Sequence, residues 1–126
     1  MTWQSKPKIE SREKDGVIVL HLEGDLILDM PSEWRQAVID GLDAQRENDR
    51  VMVDLSAVNQ LGSWGEKRIK SFAAGVVGTG GRVAVAIDPH RTAMYAGLRV
   101  ELAGIDPVVV VANSGDDAIA TLKVSQ

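Results

Sequence analysis

Four short runs of apolar, often β-branched residues recur along the chain, at 17–24, 51–56, 82–87 and 107–112. The last run, PVVVVA, is continuously apolar, which is typical of a strand buried on both faces of a sheet. An additional run at 8–13 is polar and leads into Asp15 and Gly16, which predicts an edge strand followed by a hairpin turn. Together these runs predict the strands of one sheet.

Helical spacing of apolar residues separates the later strands. The predicted helices cover about 31–46, 63–77 and 90–103, and a last one begins at Ser114. In the second helix the apolar residues fall on one stripe: Ile69, Phe72, Ala73, Val76 and Val77. The glycine-rich segment GTGG at 78–81 then ends that helix.

The resulting order is β-β-α-β-α-β-α-β-α. Strands that alternate with helices at this spacing predict βαβ crossovers, and hence an α/β fold with a mostly parallel central sheet and helices layered against it. The chain has 126 residues and neither a linker nor an internal repeat, so we expect residues 1–126 to form a single domain.

Composition excludes several classes of function. The net charge of -4 gives no support to a nucleic-acid-binding protein, which needs a clustered basic face. The chain has no cysteine, which excludes disulfides, thiol catalysis and cysteine-ligated zinc. No run approaches the ~18 apolar residues of a membrane span, and the start lacks a signal-peptide pattern, so we expect a cytoplasmic protein without membrane insertion.

The sequence shows no recognisable catalytic motif. The GTGG segment follows a predicted helix and precedes a predicted strand, whereas a phosphate-binding loop requires the reverse order. His21 and His90 are too isolated in sequence to mark a metal site, and we interpret them as structural or surface residues. We therefore expect no enzymatic activity, no metal site and no cofactor.

Ser63 occupies the start of the second predicted helix. Ser63 and Glu66 fit the S-x-x-E capping box, in which the serine side chain accepts a hydrogen bond from the helix backbone. Trp64 lies outside the apolar stripe, so it is either an exposed contact for a partner or folded over the neighbouring loop. Lys67, Arg68 and Lys70 follow within two turns and form either a solvated face or the surroundings of a phosphate on Ser63.

From about Ile9 to Leu122 the sequence resembles the STAS domain family, the sulphate-transporter and anti-sigma-factor-antagonist domains. The segments that carry the resemblance are DGVIVLHLEGDL, VMVDLSAVNQLGSWG, GGRVAVAIDP, LAGIDPVVVV and the final Ser-Gly-Asp-Asp-Ala helix start. The family pattern continues from Asp-Leu-Ser-x-Val to Asp-Ser-Ser-Gly at a helix start. Residues 53–58 match its first half closely, and Gly62-Ser63-Trp64-Gly65 matches its second half in two of four positions.

This resemblance implies a bacterial regulatory module that acts by binding. In the family the first serine of Asp-Ser-Ser-Gly is phosphorylated by an anti-sigma kinase. The unphosphorylated antagonist binds that kinase and frees a sigma factor, and a phosphatase resets the switch. By position, Ser63 is the expected phospho-acceptor. The expected partner-binding residues are Asp25, Gly62, Trp64, Gly65, Lys67 and Arg68.

Departures from the family pattern lead to alternative functions. Gly62 replaces the aspartate before the acceptor and Trp64 replaces the second serine, which favours a non-phosphorylated scaffold subunit of a stressosome-like or lipid-transport complex. A protein that binds a small molecule or lipid between apolar helix faces is a third alternative, although no residue pattern indicates a ligand. Trp3 and Trp64 leave homodimer formation open.

Overall fold

The structure is a computed structural model that describes residues 6–105 and 108–111, together with residues 119, 120 and 122. Its strands are β1 (Lys8–Lys14), β2 (Val17–Leu26), β3 (Arg50–Leu61), β4 (Arg82–Ala86) and β5 (Val108–Val111). Its helices are α1 (Ser32–Asp43), α2 (Ser63–Gly78), a 3₁₀ segment (Pro89–Tyr95) and α3 (Ala96–Leu102).

The strands form one mixed sheet in the order β1-β2-β3-β4-β5. β1 is antiparallel to β2, and the other neighbouring pairs are parallel. Asp15 and Gly16 join β1 to β2 with positive φ angles of 55° and 80°, as a tight hairpin turn requires. The predicted α/β fold with its mostly parallel sheet is thereby confirmed.

Helices α1, α2 and α3 share one face of the sheet. Each parallel connection advances by one strand in the same direction, so right-handed crossovers place these helices in a single layer. Alternate strand residues such as Leu20, Val53 and Val85 meet them in the main core. The stripe predicted on α2 lies in this core, with Val77 only partly buried at its margin.

The opposite face of the sheet carries a second, smaller core. Val19, Met52 and Ala84 contribute to it from three strands. Ile119 and Leu122, which are helical, are buried in the same cluster. The predicted last helix from Ser114 otherwise lies outside the described residues, as do both ends of the predicted strand at 107–112.

The predicted helix at 90–103 is divided into a 3₁₀ segment and α3. Arg91 interrupts it with φ -131° and ψ 33°, and its guanidinium donates to the Asn59 carbonyl at 2.7 Å. The buried Tyr95 hydroxyl donates to the Leu55 carbonyl at 3.1 Å. These two bonds tie the segment to β3, which favours the 3₁₀ geometry over a continuous α-helix.

Two other boundaries differ from prediction. β3 continues to Leu61 rather than ending near residue 56, and α1 ends at Asp43 rather than at Arg46. The extension of β3 pairs Gln60 and Leu61 with the end of β2. Among the helices of the described residues, none has both the length and the apolar character that a membrane crossing demands.

Candidate docking surface at the start of α2

The start of α2 is fixed against the end of β2. The Gly62 amide donates to the Leu26 carbonyl at 3.1 Å. Gly65, one turn into the helix, is buried, and a Cβ there would lie 2.7 Å from the Leu26 carbonyl oxygen and 2.8 Å from Leu26 Cβ. Gly65 is therefore required for close packing against Leu26. As a buried glycine it has no side chain to offer a partner.

Ser63 is exposed at the first helical position of α2. The predicted capping box is wrong, because the N-cap is Gly62, in extended conformation, and the helix start has no side-chain cap bond. The bond from Gly62 to Leu26 explains the difference, since it places the cap one residue earlier. Glu66 turns instead towards α3, where a Cβ on Gly97 would clash with its carboxylate.

Trp64 and Asp25, both predicted partner contacts, are less accessible than Ser63. Trp64 is partly buried and packs against the main core, so the interpretation in which it folds inwards holds. Asp25 is 1% exposed near the end of β2, where it pairs with Gln60. Because its carboxylate is covered, a partner contacts it only if the strand end rearranges, and its role as a partner contact stays a prediction.

The three cationic residues that follow Ser63 on α2 have different environments. Lys67 is exposed and lies one helical turn after Ser63, on the same face. Lys70 binds Glu101 of α3 at 3.1 Å. Arg68 is partly buried and lines a groove between α1 and α2. Lys67 is the nearest of these three to Ser63, and Lys70, exposed two turns on, is already paired with Glu101.

Leu28 is an exposed apolar residue that the sequence interpretation missed. It is 62% exposed in the loop between β2 and α1. Its neighbour Ile27 lies against Gly62, since a Cβ on Gly62 would be 3.4 Å from Ile27 Cγ2. Leu28 follows Ile27 and Ser63 follows Gly62, so both lie next to this contact between the two segments. We call Ile27, Leu28, Ser63 and Lys67 the α2 docking surface. The sequence did offer a signal for this surface, because Leu28 is an apolar residue in the predicted loop between the strand at 17–24 and Pro31.

A second polar site lies on the other face of the sheet. His21 of β2 stands between two carboxylates: its Nδ1 is 3.1 Å from Asp54 Oδ2 and its Nε2 is 3.0 Å from Glu23 Oε1. Ser56 donates to Asp54 Oδ1 through its backbone amide at 3.0 Å and its hydroxyl at 2.7 Å. We call these four residues the His21 cluster. Two of them, His21 and Asp54, border a cavity of about 400 Å³, which Glu10, Ser11 and Arg12 also line.

Proton affinities in the His21 cluster follow from these contacts. Burial by itself would lower the pKa of His21, but hydrogen bonds and the charges of Asp54 and Glu23 raise it above its ordinary value. Burial by itself would raise the pKa of Asp54, whereas bonds from Ser56 and His21 lower it. In the described part of the chain, no three histidine, aspartate or glutamate side chains gather as a metal site requires.

Comparison with models of protein families gave no match, and neither did comparison with curated protein sequences. Solved structures gave clear matches. An anti-sigma factor antagonist from Mycobacterium paratuberculosis superimposes with a TM-score of 0.66 at 22% identity, covering 93% of this chain and 94% of that one.

Two further structures agree with it. A serine-to-glutamate variant of RsbS from Moorella thermoacetica has a TM-score of 0.71 at 14% identity and covers 94% of this chain and 97% of that one. A Thermotoga maritima protein provisionally assigned as an anti-sigma factor antagonist has a TM-score of 0.63 at 15% identity, over 91% and 94% of the chains. The predicted resemblance is confirmed at the level of architecture: the chain has the fold of the STAS domain.

Proposed function

We propose that this protein is a regulatory binding module of the anti-sigma-factor-antagonist kind. It docks an anti-sigma kinase through the α2 docking surface and is switched by phosphorylation of Ser63. The solved structures of similar fold that are described as anti-sigma factor antagonists support the general kind of function. A phosphatase that removes the phosphate completes the cycle.

The observation that carries the proposal is the placement of Ser63. Its side chain is exposed at the first residue of α2, and it forms no hydrogen bond with any side chain or backbone group of the described residues. A kinase needs such access, because the Ser63 oxygen must reach the γ-phosphorus of ATP while its proton passes to a base of the kinase and ADP departs. The exposed Leu28 beside it offers an apolar anchor for the same partner.

Electrostatics explains how phosphorylation releases the partner. A phosphate adds a charge of about -1.5 to -2 at neutral pH. The amino-terminal end of α2 favours that charge by about 0.3–1 kcal/mol, so the fold persists. In an interface that buries the unmodified hydroxyl and Leu28, the same charge would have to lose its hydration, which is unfavourable, and the phosphate would no longer fit. Docking is then lost without refolding, as local switches of this type require.

The test combines the protein with its cognate anti-sigma kinase and ATP. We expect a stable complex before phosphate transfer and phosphoserine at position 63 afterwards, both measured on the same sample by native and peptide mass spectrometry. Ser63→Ala should abolish the modification. Ser63→Asp should weaken the complex at least ten-fold, while Ser11→Asp, which adds the same charge to an exposed serine on β1, should leave it unchanged.

The scaffold alternative predicts a different result in the same experiment. The partly buried Trp64 and the neutral Gly62 favour it, because they replace the polar residues that flank the family's acceptor serine. Under that function Ser63→Asp keeps full affinity and Ser63 stays unmodified. A correct kinase that neither binds the protein nor phosphorylates Ser63 would contradict the switch.

A further inference from the structure

A groove of about 130 Å³ separates α1 from α2 and is distinct from the α2 docking surface. Ile39, Asp43 and Arg46 line it from α1 and the turn after it, and Arg68, Ser71 and Phe72 line it from α2. We call it the α1–α2 groove. Its volume equals roughly four water molecules in the liquid, which is room for one small ion and little more.

Arg68 enters this groove with an unmatched donor. Its Nε is buried and finds no hydrogen-bond acceptor within the described ranges 6–105 and 108–111. A guanidinium cannot lose its proton at physiological pH, so the donor persists. Buried donors are nearly always satisfied in folded proteins, and an exception indicates an external acceptor such as water or an ion.

Arg46 is held at the same groove by backbone geometry. Gly75 of α2 leaves it space, since a Cβ there would lie 2.6 Å from Arg46 Nε. The guanidinium also donates to the Ser71 carbonyl at 3.3 Å. Its pairing with Asp43 is long at 3.5 Å, and both of these side chains are substantially exposed. Two guanidinium groups therefore line a groove in which one carboxylate is the opposing charge.

Arg35, on α1, is a third arginine near the groove, although it does not line it. It lies one helical turn before Ile39 on the same side of α1, and its Nε is likewise buried without an acceptor among the residues that the structure describes. The chain as a whole carries a net charge of -4. The lining of the groove, with Arg46 and Arg68 against Asp43, is thus net positive in a chain that is negative overall.

We propose that the α1–α2 groove binds a phosphate-type oxyanion between Arg68 and Arg46. Guanidinium groups present paired N–H donors whose geometry matches phosphate oxygens, and such charge-assisted bonds are the strongest that side chains form. Because Arg68 Nε is buried, a small movement of the Arg68 side chain accompanies binding and lets the ligand supply the acceptor that this donor lacks. This site is independent of phosphorylation at Ser63, which lies at the open start of α2.

Thermal unfolding in inorganic phosphate tests the site, with sodium chloride matched for ionic strength. The wild-type melting temperature should rise and then saturate with phosphate concentration, as ligand linkage requires. Arg68→Gln should weaken the apparent affinity at least ten-fold, whereas Arg99→Gln, which removes one exposed charge from α3, should not. Phosphate also stabilises proteins non-specifically, but that contribution does not saturate and is common to all three proteins.

An NMR titration of the wild-type protein tests the same site without relying on a variant that could fail to fold. The Arg68 Nε–H resonance should shift on titration with inorganic phosphate, and acetate at equal concentration should shift it much less. A melting temperature that saturates equally in Arg68→Gln, or an Arg68 resonance that does not move, would overturn the site. Equal affinity for acetate would overturn its assignment to phosphate.

Discussion

The α2 docking surface and the His21 cluster place polar side chains in opposite situations. In the His21 cluster each ring nitrogen of His21 faces a carboxylate, and Ser56 satisfies the second oxygen of Asp54. At the α2 docking surface Ser63 is exposed and makes no cap bond, and the segment before it contacts the loop that carries the exposed Leu28. Polar groups that satisfy one another stabilise the fold, whereas accessible groups next to an apolar anchor are available to a partner.

The sharpest test of this contrast is removal of the apolar anchor. Leu28→Ser should weaken the proposed binding of an anti-sigma kinase by roughly ten- to hundred-fold, since burying a leucine side chain contributes about 1.5–3 kcal/mol. Stability should change by less than about 0.5 kcal/mol, because Leu28 is already exposed. Isothermal titration calorimetry measures the first quantity and urea unfolding the second.

Val100→Ser is the matched control for Leu28→Ser. Val100 is 76% exposed on α3, an element that contributes no residue to the α2 docking surface. Its replacement should leave kinase affinity unchanged. His21→Gln should also leave it unchanged, because the His21 cluster lies on the other face of the sheet. Equal losses from the Leu28 and Val100 variants would show that the anchor has no special role.

The second test concerns the contact that holds the docking surface in place. Gly65→Ala should destabilise the protein by about 1–3 kcal/mol, because the added methyl would overlap the Leu26 carbonyl and side chain. Gly78→Ala on the same helix meets nothing within 4 Å and should be neutral or slightly stabilising. Guanidinium unfolding measures both. Similar stability of the two variants would refute close packing at Gly65.

The third test uses pH to reach the His21 cluster alone. His21 has a pKa raised above its ordinary value of 6.5, so its stabilising contribution is complete below that pH and is lost as pH rises through the folded-state pKa. Asp54 has a lowered pKa, so its contribution is present above 3.8 and is lost as pH falls through its folded-state pKa. The cluster therefore stabilises most in the mildly acidic range between these limits.

His21→Gln should accordingly lose more stability at pH 5.5 than at pH 8.5, as measured by urea unfolding at both pH values. The difference should be about 1 kcal/mol or less, because His21 is 34% exposed and its partners are also partly accessible. A loss that is equal at both pH values, or larger at pH 8.5, would contradict an ion pair at His21.

The sequence predicted the architecture because apolar repetition reflects burial directly. The stripe through Ile69, Phe72 and Val76 is buried as expected, and the strand runs meet in the predicted sheet. Side-chain contacts between residues far apart in the sequence could not be predicted from local patterns. His21 and Asp54 are 33 positions apart and become neighbours only through the pairing of β2 with β3. The inward turn of Trp64 likewise depends on the core beneath it.

The start of α2 shows how a tertiary contact overrides a local motif. Ser63 and Glu66 have the spacing of a capping box, yet the bond from Gly62 to Leu26 makes Gly62 the cap. Local rules assign a cap from neighbouring residues alone. They do not include a strand end that fixes the preceding amide. The same displacement leaves the Ser63 hydroxyl exposed, so the failure of the capping prediction supports the proposed role of this serine.

The smallest expected effect comes from giving α2 a side-chain cap. Gly62 has φ -96° and ψ 179°, which an aspartate adopts without strain, and a Cβ there makes only ordinary contact with Ile27. Gly62→Asp should stabilise the protein by about 0.3–1 kcal/mol, through an accepted amide bond and the favourable charge at the helix start. Gly62→Asn, which caps without charge, separates the two contributions in thermal unfolding at low and high salt. If neither variant gains stability, the first amides of α2 have no unmet need for a side-chain cap.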